Sequence, residues 1–329
     1  MAATYLFFDI ESAGCQDGEG HICSFGYVLC DSNFKVIESE DIVMNPRWTF
    51  DPSLFNGVAK CTLAYPQSYF EKQNDFSFFY ERIKSLLLEK DRIVIGFAVE
   101  NDVGFIACAC KHFSLPQIDF KAYDIHAVAD KANNSHNGLA GWMDFYKIDH
   151  SSLKAHRSCD DAMMTMLLTR KICAQQNTTV EKLFALHSYA QRSVRQYIRH
   201  RKEQALRKIL REKIGLLYFK RNPSPETARL HGRFKLVIDN NHSPDFIYDM
   251  HRLIYDNGGI LIPKLSPHCT FISEHSRTRP DWLDCDKFHN VRFMTLGDLC
   301  THLGLKSLPE DQALKISESP DSDEDLSFS

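Results

Sequence analysis

The chain has 329 residues, 43% hydrophobic and 25% charged, with a formal net charge of −4. That length supports one large core or two modest ones, and the mild acidic balance means that any polyanion-binding surface must be local. No stretch approaches the roughly 20 apolar residues that span a bilayer.

Met1 to Phe8 lack the basic lead and long apolar region of a signal peptide and run directly into Asp9 and Glu11. The expectation is a cytoplasmic protein with no membrane partner. The 11 cysteines are odd in number and show no Cys-x-x-Cys spacing. Their closest pair, Cys108 and Cys110, lies in an apolar stretch and fits a buried helix face better than a metal site.

Thr4–Ile10 is a mostly apolar and aromatic run, long enough for a buried strand and too short for a helix. Ile22–Cys30 and Lys35–Met44 follow as β-branched and aromatic segments joined by the polar turn Asp31-Ser32-Asn33. They predict an antiparallel meander with Thr4–Ile10 innermost. Phe76–Glu89 has helical spacing through Phe79, Ile83, Leu86 and Leu87. Arg92–Phe97 predicts a strand, Val103–His112 a helix, Lys121–Ile125 a strand and Asp160–Ile172 an apolar helix. A meander followed by alternating helices and strands predicts an α/β fold, with a mixed sheet flanked by helices on both faces.

Asp9-x-Glu11 ends the first strand, where side chains two apart share a face. Two anions side by side repel unless a cation offsets them, and hard oxygen ligands favour Mg²⁺ or Mn²⁺. Asn101-Asp102 follows the fourth strand and opens a helix; taken alone, it reads as a helix N-cap. His156-Arg-Ser-Cys-Asp160-Asp161 precedes an apolar helix, placing an acid in its first turn, where acids complement the helix dipole. Each feature alone has an ordinary structural reading; their coincidence does not.

Phe-Phe-Asp9-Ile-Glu11-Ser, Val-Ile-Gly-Phe-Ala-Val-Glu-Asn-Asp102 and His156-x-x-x-x-Asp161-Ala resemble the three motifs of the DEDDh exonucleases, in order and in context, over roughly residues 1–175. That family includes the proofreading epsilon subunit of bacterial DNA polymerase III. The resemblance implies a ribonuclease H-like fold and two-metal 3′–5′ hydrolysis of nucleic acid to nucleoside 5′-monophosphates. It implies Asp9, Glu11, Asp102 and Asp161 as ligands of two Mg²⁺ or Mn²⁺ ions, His156 as general base, and Ile10, Ser12 and Phe97 against the terminal nucleotide. The spacing selects Asp161 over Asp160, which is left a capping or supporting role. Two departures stand out: Ser12 where the family usually has Thr, and Phe97-Ala98 where His-Asn is common.

Between Gln191 and Lys220 there are ten Lys or Arg against two acids, and the pattern predicts a basic helical linker over residues 176–228. It suits phosphate contact and a solvated face equally well. Residues 229–308 predict strand Phe234–Asp239, helix Pro244–Asp256, strands Ile260–Leu265 and Thr270–Ser273, a short helix at Arg279–His289, strand Val291–Met294 and helix Leu296–Leu303. Gly258-Gly259 suits a helix C-terminus that needs positive φ. This order resembles a BRCT domain, with Trp282 a candidate for its later Trp, and so implies a small α/β domain with a possible protein partner. Residues 309–329 are acidic and Ser-rich and are expected to be disordered. The expected function is a DNA exonuclease. The rivals are a ribonuclease of the same family that trims RNA 3′ ends and a non-catalytic nucleic-acid-binding protein.

Overall fold

The computed structural model describes residues 3–16, 19–56, 62–222, 228–274, 288–309 and 311. The chain divides into two compact units, one running through Arg199 and one starting at His200.

The first unit opens with strands β1 (Thr4–Gln16), β2 (Glu19–Asp31) and β3 (Val36–Val43). After a 3-10 turn at Pro52–Phe55 come α1 (Gln67–Phe70), α2 (Phe76–Leu88), β4 (Arg92–Gly96), α3 (Glu100–His112) and β5 (Lys121–Asp124). Helices α4 (Ile125–Asn133), α5 (Leu139–Phe145), α6 (Ser158–Gln175) and α7 (Val180–Leu186) follow, then β6 (Gln191–Ser193) and the start of α8 (Val194–Leu217). Among the described residues the strands form one mixed sheet in the order β3-β2-β1-β4-β5-β6. β1–β3 are the antiparallel meander, β4 and β5 run parallel to β1, and β6 closes the edge antiparallel to β5. This is a mixed α/β sheet with helices packed on both faces.

Alternation along β1 divides the core. Leu6, Phe8 and Ile10 pack with residues of α2 and α3, while Tyr5 and Phe7 pack with α4, α5 and α6. β1 runs six residues beyond Ile10, because β2 continues to pair with it as far as Gln16. Glu11 and Ser12 therefore lie inside the strand, at a register shift, and not at its end. The reading of a basic linker from residue 176 is also corrected. Gln191–Ser193 adds to the β5 edge, and Val194 and Ile198 are buried in the sheet core. Tertiary pairing overrides the helical pattern there, so the first unit extends to Arg199.

The second unit contains β7 (Arg233–Leu236), α9 (Pro244–Asp256), β8 (Ile260–Leu261), β9 (Thr270–Ser273), β10 (Arg292–Thr295) and α10 (Leu296–Leu303). Its described strands are all parallel, in the order β10-β9-β7-β8. β7 and β8 are shorter than their sequence pattern suggests. Ser243 caps α9 ahead of Pro244, and Thr295 with Asp298 forms a capping box on α10. Gly258 has φ +89° and ends α9 by donating to Tyr255 O at 3.0 Å. The helix expected at Arg279–His289, with Trp282, and the acidic tail fall almost wholly outside the described residues. No helix among the described residues is long and apolar enough to cross a membrane, and no described cysteine is in a disulfide.

Gly26 pairs with Asp9 across β1 and β2, and it lets α6 close onto the sheet. A Cβ there would lie 2.0 Å from both Cys159 N and Ser158 C, which are backbone atoms that can yield only if the helix lifts. Gly26→Ala is expected to lower stability by about 1–3 kcal/mol, the usual cost of overpacking. Gly215→Ala on α8 meets nothing within 4 Å and should gain roughly 0.5–1 kcal/mol. Denaturant midpoints of the two variants check the contrast; equal midpoints would contradict it.

Candidate active site

Asp9, Glu11, Asp102, His156 and Asp161 line one cleft of about 410 Å³, together with Ile10, Phe97, Ala98, Asn101 and the Gly138–Gly141 segment. Ser12 is not among the lining residues. The cleft opens beside the middle of β1 and the carboxyl end of β4, between the first turns of α3 and α6.

Three elements deliver the acids. Asp9 and Glu11 come from one face of β1. Asp102 comes from the first turn of α3, which starts at Glu100 after Val99 and has no side-chain cap. The capping reading of Asp102 is thereby corrected: its carboxylate is buried and accepts the Ile10 backbone N–H. Asp161 comes from the first turn of α6 and accepts the His156 backbone N–H at 2.8 Å. His156 holds φ +61°, in the left-handed region that few residues other than glycine adopt, and its Nδ1 lies 3.6 Å from Glu11 Oε1. Asp160 faces away from the acids, accepting Lys154 N–H at 3.0 Å and pairing with Arg157 at 3.6 Å.

Two further acids, missed in the sequence, hold these pieces in place. Asp41 on β3 has a side chain only 5% exposed. It accepts Ser158 Oγ–H at 2.7 Å and Tyr65 O–H at 2.9 Å, and also the Ser24 hydroxyl, tying the start of α6 to the sheet. Asp124 caps α4 through His126 N–H at 3.0 Å and accepts Ala98 N–H at 2.9 Å. It thereby pins the loop before α3, where Ala98 adopts φ +56°. Neither has a motif neighbour in the sequence that marks it as an anchor.

The acids repel strongly. Burial, followed by Asp102, Glu11, Asp161 and Asp41, pushes the Asp9 carboxyl well above the usual range. Burial, followed by Glu11 and Asp124, does the same for Asp102. Asp161 is raised to about 7 by burial and Glu11, against the opposing His156 N–H bond. Two like charges at about 5 Å cost roughly 3 kcal/mol at an effective dielectric near 20. A helix N-terminus returns only about 0.3–1 kcal/mol, so α3 and α6 cannot offset the cluster alone. A cation can, and Glu11, His156 and Asp161 each place one ligand atom within 4.8 Å of the others.

Residues 6–169 match the family model RNase_T, described as exonuclease. No curated protein matches the chain. Among solved structures, E. coli exonuclease I in complex with a dT13 oligonucleotide is 19% identical, covering 53% of this chain and 42% of that one, with a TM-score of 0.43. A 3′-exonuclease in a structure of 3′-end-specific recognition of the histone mRNA stem-loop is 12% identical, covering 54% of this chain and 84% of that one, with a TM-score of 0.45. The match spans less than half the length of exonuclease I.

Without metal, the Asp161 carboxyl keeps its proton up to about 7, against an ordinary 3.8, so the folded chain holds the extra proton between these values. Stability of the metal-free protein should therefore fall as pH rises through that window, where the unfolded state has already released the proton. Divalent cations replace the proton, and should stabilise the fold more at about pH 8 than at about pH 5. Urea unfolding at both pH values, with and without Mg²⁺ or Mn²⁺, checks this; equal stabilisation at both would contradict it.

Proposed function

We propose that this chain is a metal-dependent 3′–5′ exonuclease of the DEDDh type that hydrolyses DNA to nucleoside 5′-monophosphates. The supporting observation is the convergence of Asp9, Glu11, Asp102, Asp161 and His156 in one cleft. Its hard oxygen donors and single imidazole fit two Mg²⁺ or Mn²⁺ ions. Asp9, Glu11, Asp161 and Asp102 are the residues that would hold them. When bound, such ions supply Lewis-acid stabilisation of charge on the reacting phosphoryl group.

The chain's own groups do the rest. The His156 imidazole stands at the cleft, half-buried, with Glu11 against Nδ1. That contact orients the ring, and Nε2 then takes a proton from the attacking water. Phe97 and Ile10 form the wall for the terminal nucleotide, and Ser12 has no part in this reading. The parallel order β10-β9-β7-β8, with α9 and α10, supports a BRCT-like second unit. Such a module favours DNA as substrate and offers a surface for a protein partner. On α8, Arg195 and Arg207 are engaged by Asp119 and Glu203, while Lys208, Arg211 and Lys213 are exposed and suited to phosphate contact.

A panel of 5′-labelled oligonucleotides, single- and double-stranded and in both sugars, tests the reading. Shortening from the 3′ end with 5′-monophosphate release, faster on DNA, is expected. Preference for RNA would overturn the substrate, and no shortening would overturn the activity.

Asp9→Ala should abolish turnover with the fold retained, and Asp161→Asn should be far more damaging than Asp160→Asn. His156→Ala should lower turnover by roughly 10²–10⁴-fold, the range of a general base, while metal binding persists. Steady-state rates and circular dichroism of the four variants check this ranking. Replacing Lys208, Arg211 and Lys213 by Gln should reduce the slope of log affinity against log salt by roughly two to three, at about 0.7–0.9 per contact. An unchanged slope would make α8 a solvated helix.

A further inference from the structure

A second cluster of metal-ligating side chains stands outside the carboxylate cleft. His126 and Asp130 are four residues apart on α4 and share one helix face. The helix ends at Asn134, whose φ of 46° turns the chain back, and Ser135 N–H donates to Asp130 O at 3.2 Å. The reversal lays His136 against the same carboxylate, with its Nδ1 in contact with Asp130 Oδ2. The two imidazole rings are 4.8 Å apart.

The buried His126 Nε2 makes no hydrogen bond among the described residues, although Asp130 Oδ1 is 3.2 Å away. Oδ1 accepts Trp142 Nε1–H at 3.1 Å instead. A buried nitrogen left unsatisfied is costly, and a cation between it and the carboxylate removes the cost. Metal–ligand bonds of about 2.0–2.1 Å place two donors of a tetrahedral ion about 3.3 Å apart, close to the observed 3.2 Å separation. His126, Asp130 and His136 each offer one ligand atom within 4.8 Å of the other two.

We propose that His126, Asp130 and His136 form a zinc site separate from the carboxylate centre. Two imidazoles and one carboxylate select a borderline ion such as Zn²⁺, in contrast to the oxygen-rich cleft. The exposed side of His136 leaves the fourth position to water, and the Trp142 N–H fixes the carboxylate from behind. The site is built to hold the cleft. His126 stacks on Phe97 at 4.4 Å, and His136 precedes the Gly138–Gly141 segment of the cleft wall. The proposal does not depend on the nuclease reading.

Full-length protein is stripped with chelator, returned to excess Mg²⁺ to fill the carboxylate cleft, and titrated with Zn²⁺. Bound zinc is counted by mass spectrometry after gel filtration. One zinc per chain is expected in the wild type and in Asp9→Asn. Outer-shell changes alone weaken a metal site by about 10–100-fold, so loss of the His136 ligand in His136→Ala should weaken zinc binding by more than about 100-fold. Zinc should raise the melting temperature of the first two proteins and not of the third. Absence of zinc from the wild type, equal zinc in His136→Ala, or loss of zinc in Asp9→Asn would each overturn the proposal.

Discussion

Like charges forced into one cleft are what the first unit has to hold together. Asp9, Glu11, Asp102 and Asp161 come from a strand and two helix starts, and burial and mutual repulsion raise three of them above their ordinary range. Each repulsive pair costs more than a helix terminus returns. The scaffold must therefore impose the geometry through packing, while protons, or a cation that displaces them, offset the charge.

The packing that imposes it is specific. Gly26 removes the one side chain that would keep α6 off the sheet at the level of Asp9. Asp41 then ties the first turn of α6 to β2 and β3 through Ser158 and Ser24. On the opposite side, Asp124 holds the loop that leads into α3. These contacts involve no cleft-lining acid, yet they set where Asp102 and Asp161 stand. Both anchors are acids satisfied by hydrogen bonds, which is how a buried carboxylate is tolerated.

The cleft acids Asp9 and Asp102 and the strands that lead to them were legible in the sequence as polar breaks in or after apolar runs. Thr4–Ile10 and Arg92–Phe97 announce buried strands, and the acids that follow break the pattern abruptly. The extension of β1 past Ile10 was hidden because Glu11 and Ser12 are polar and only pairing with β2 makes them strand. β6 was hidden for a related reason: Gln191–Ser193 has no intrinsic strand character and is recruited by the β5 edge. Asp41 and Asp124 look like ordinary surface acids, since nothing local reveals that Tyr65, Ser158 or Ala98 will close over them. The second unit's helices were well marked by Ser243-Pro244 and Thr295-x-x-Asp298, whereas its strands are short and their ends set by neighbours.

On the proposed reading, the crowded carboxylates hold divalent cations. Equilibrium binding of Mn²⁺, read from the loss of the free-ion electron paramagnetic resonance signal, tests it most directly when nucleoside 5′-monophosphate is present and the separate histidine cluster is silenced by His136→Ala. Two Mn²⁺ ions per chain are expected, with binding lost when Asp9 is also replaced by Ala. Absence of bound Mn²⁺, or binding that is indifferent to Asp9, would contradict it.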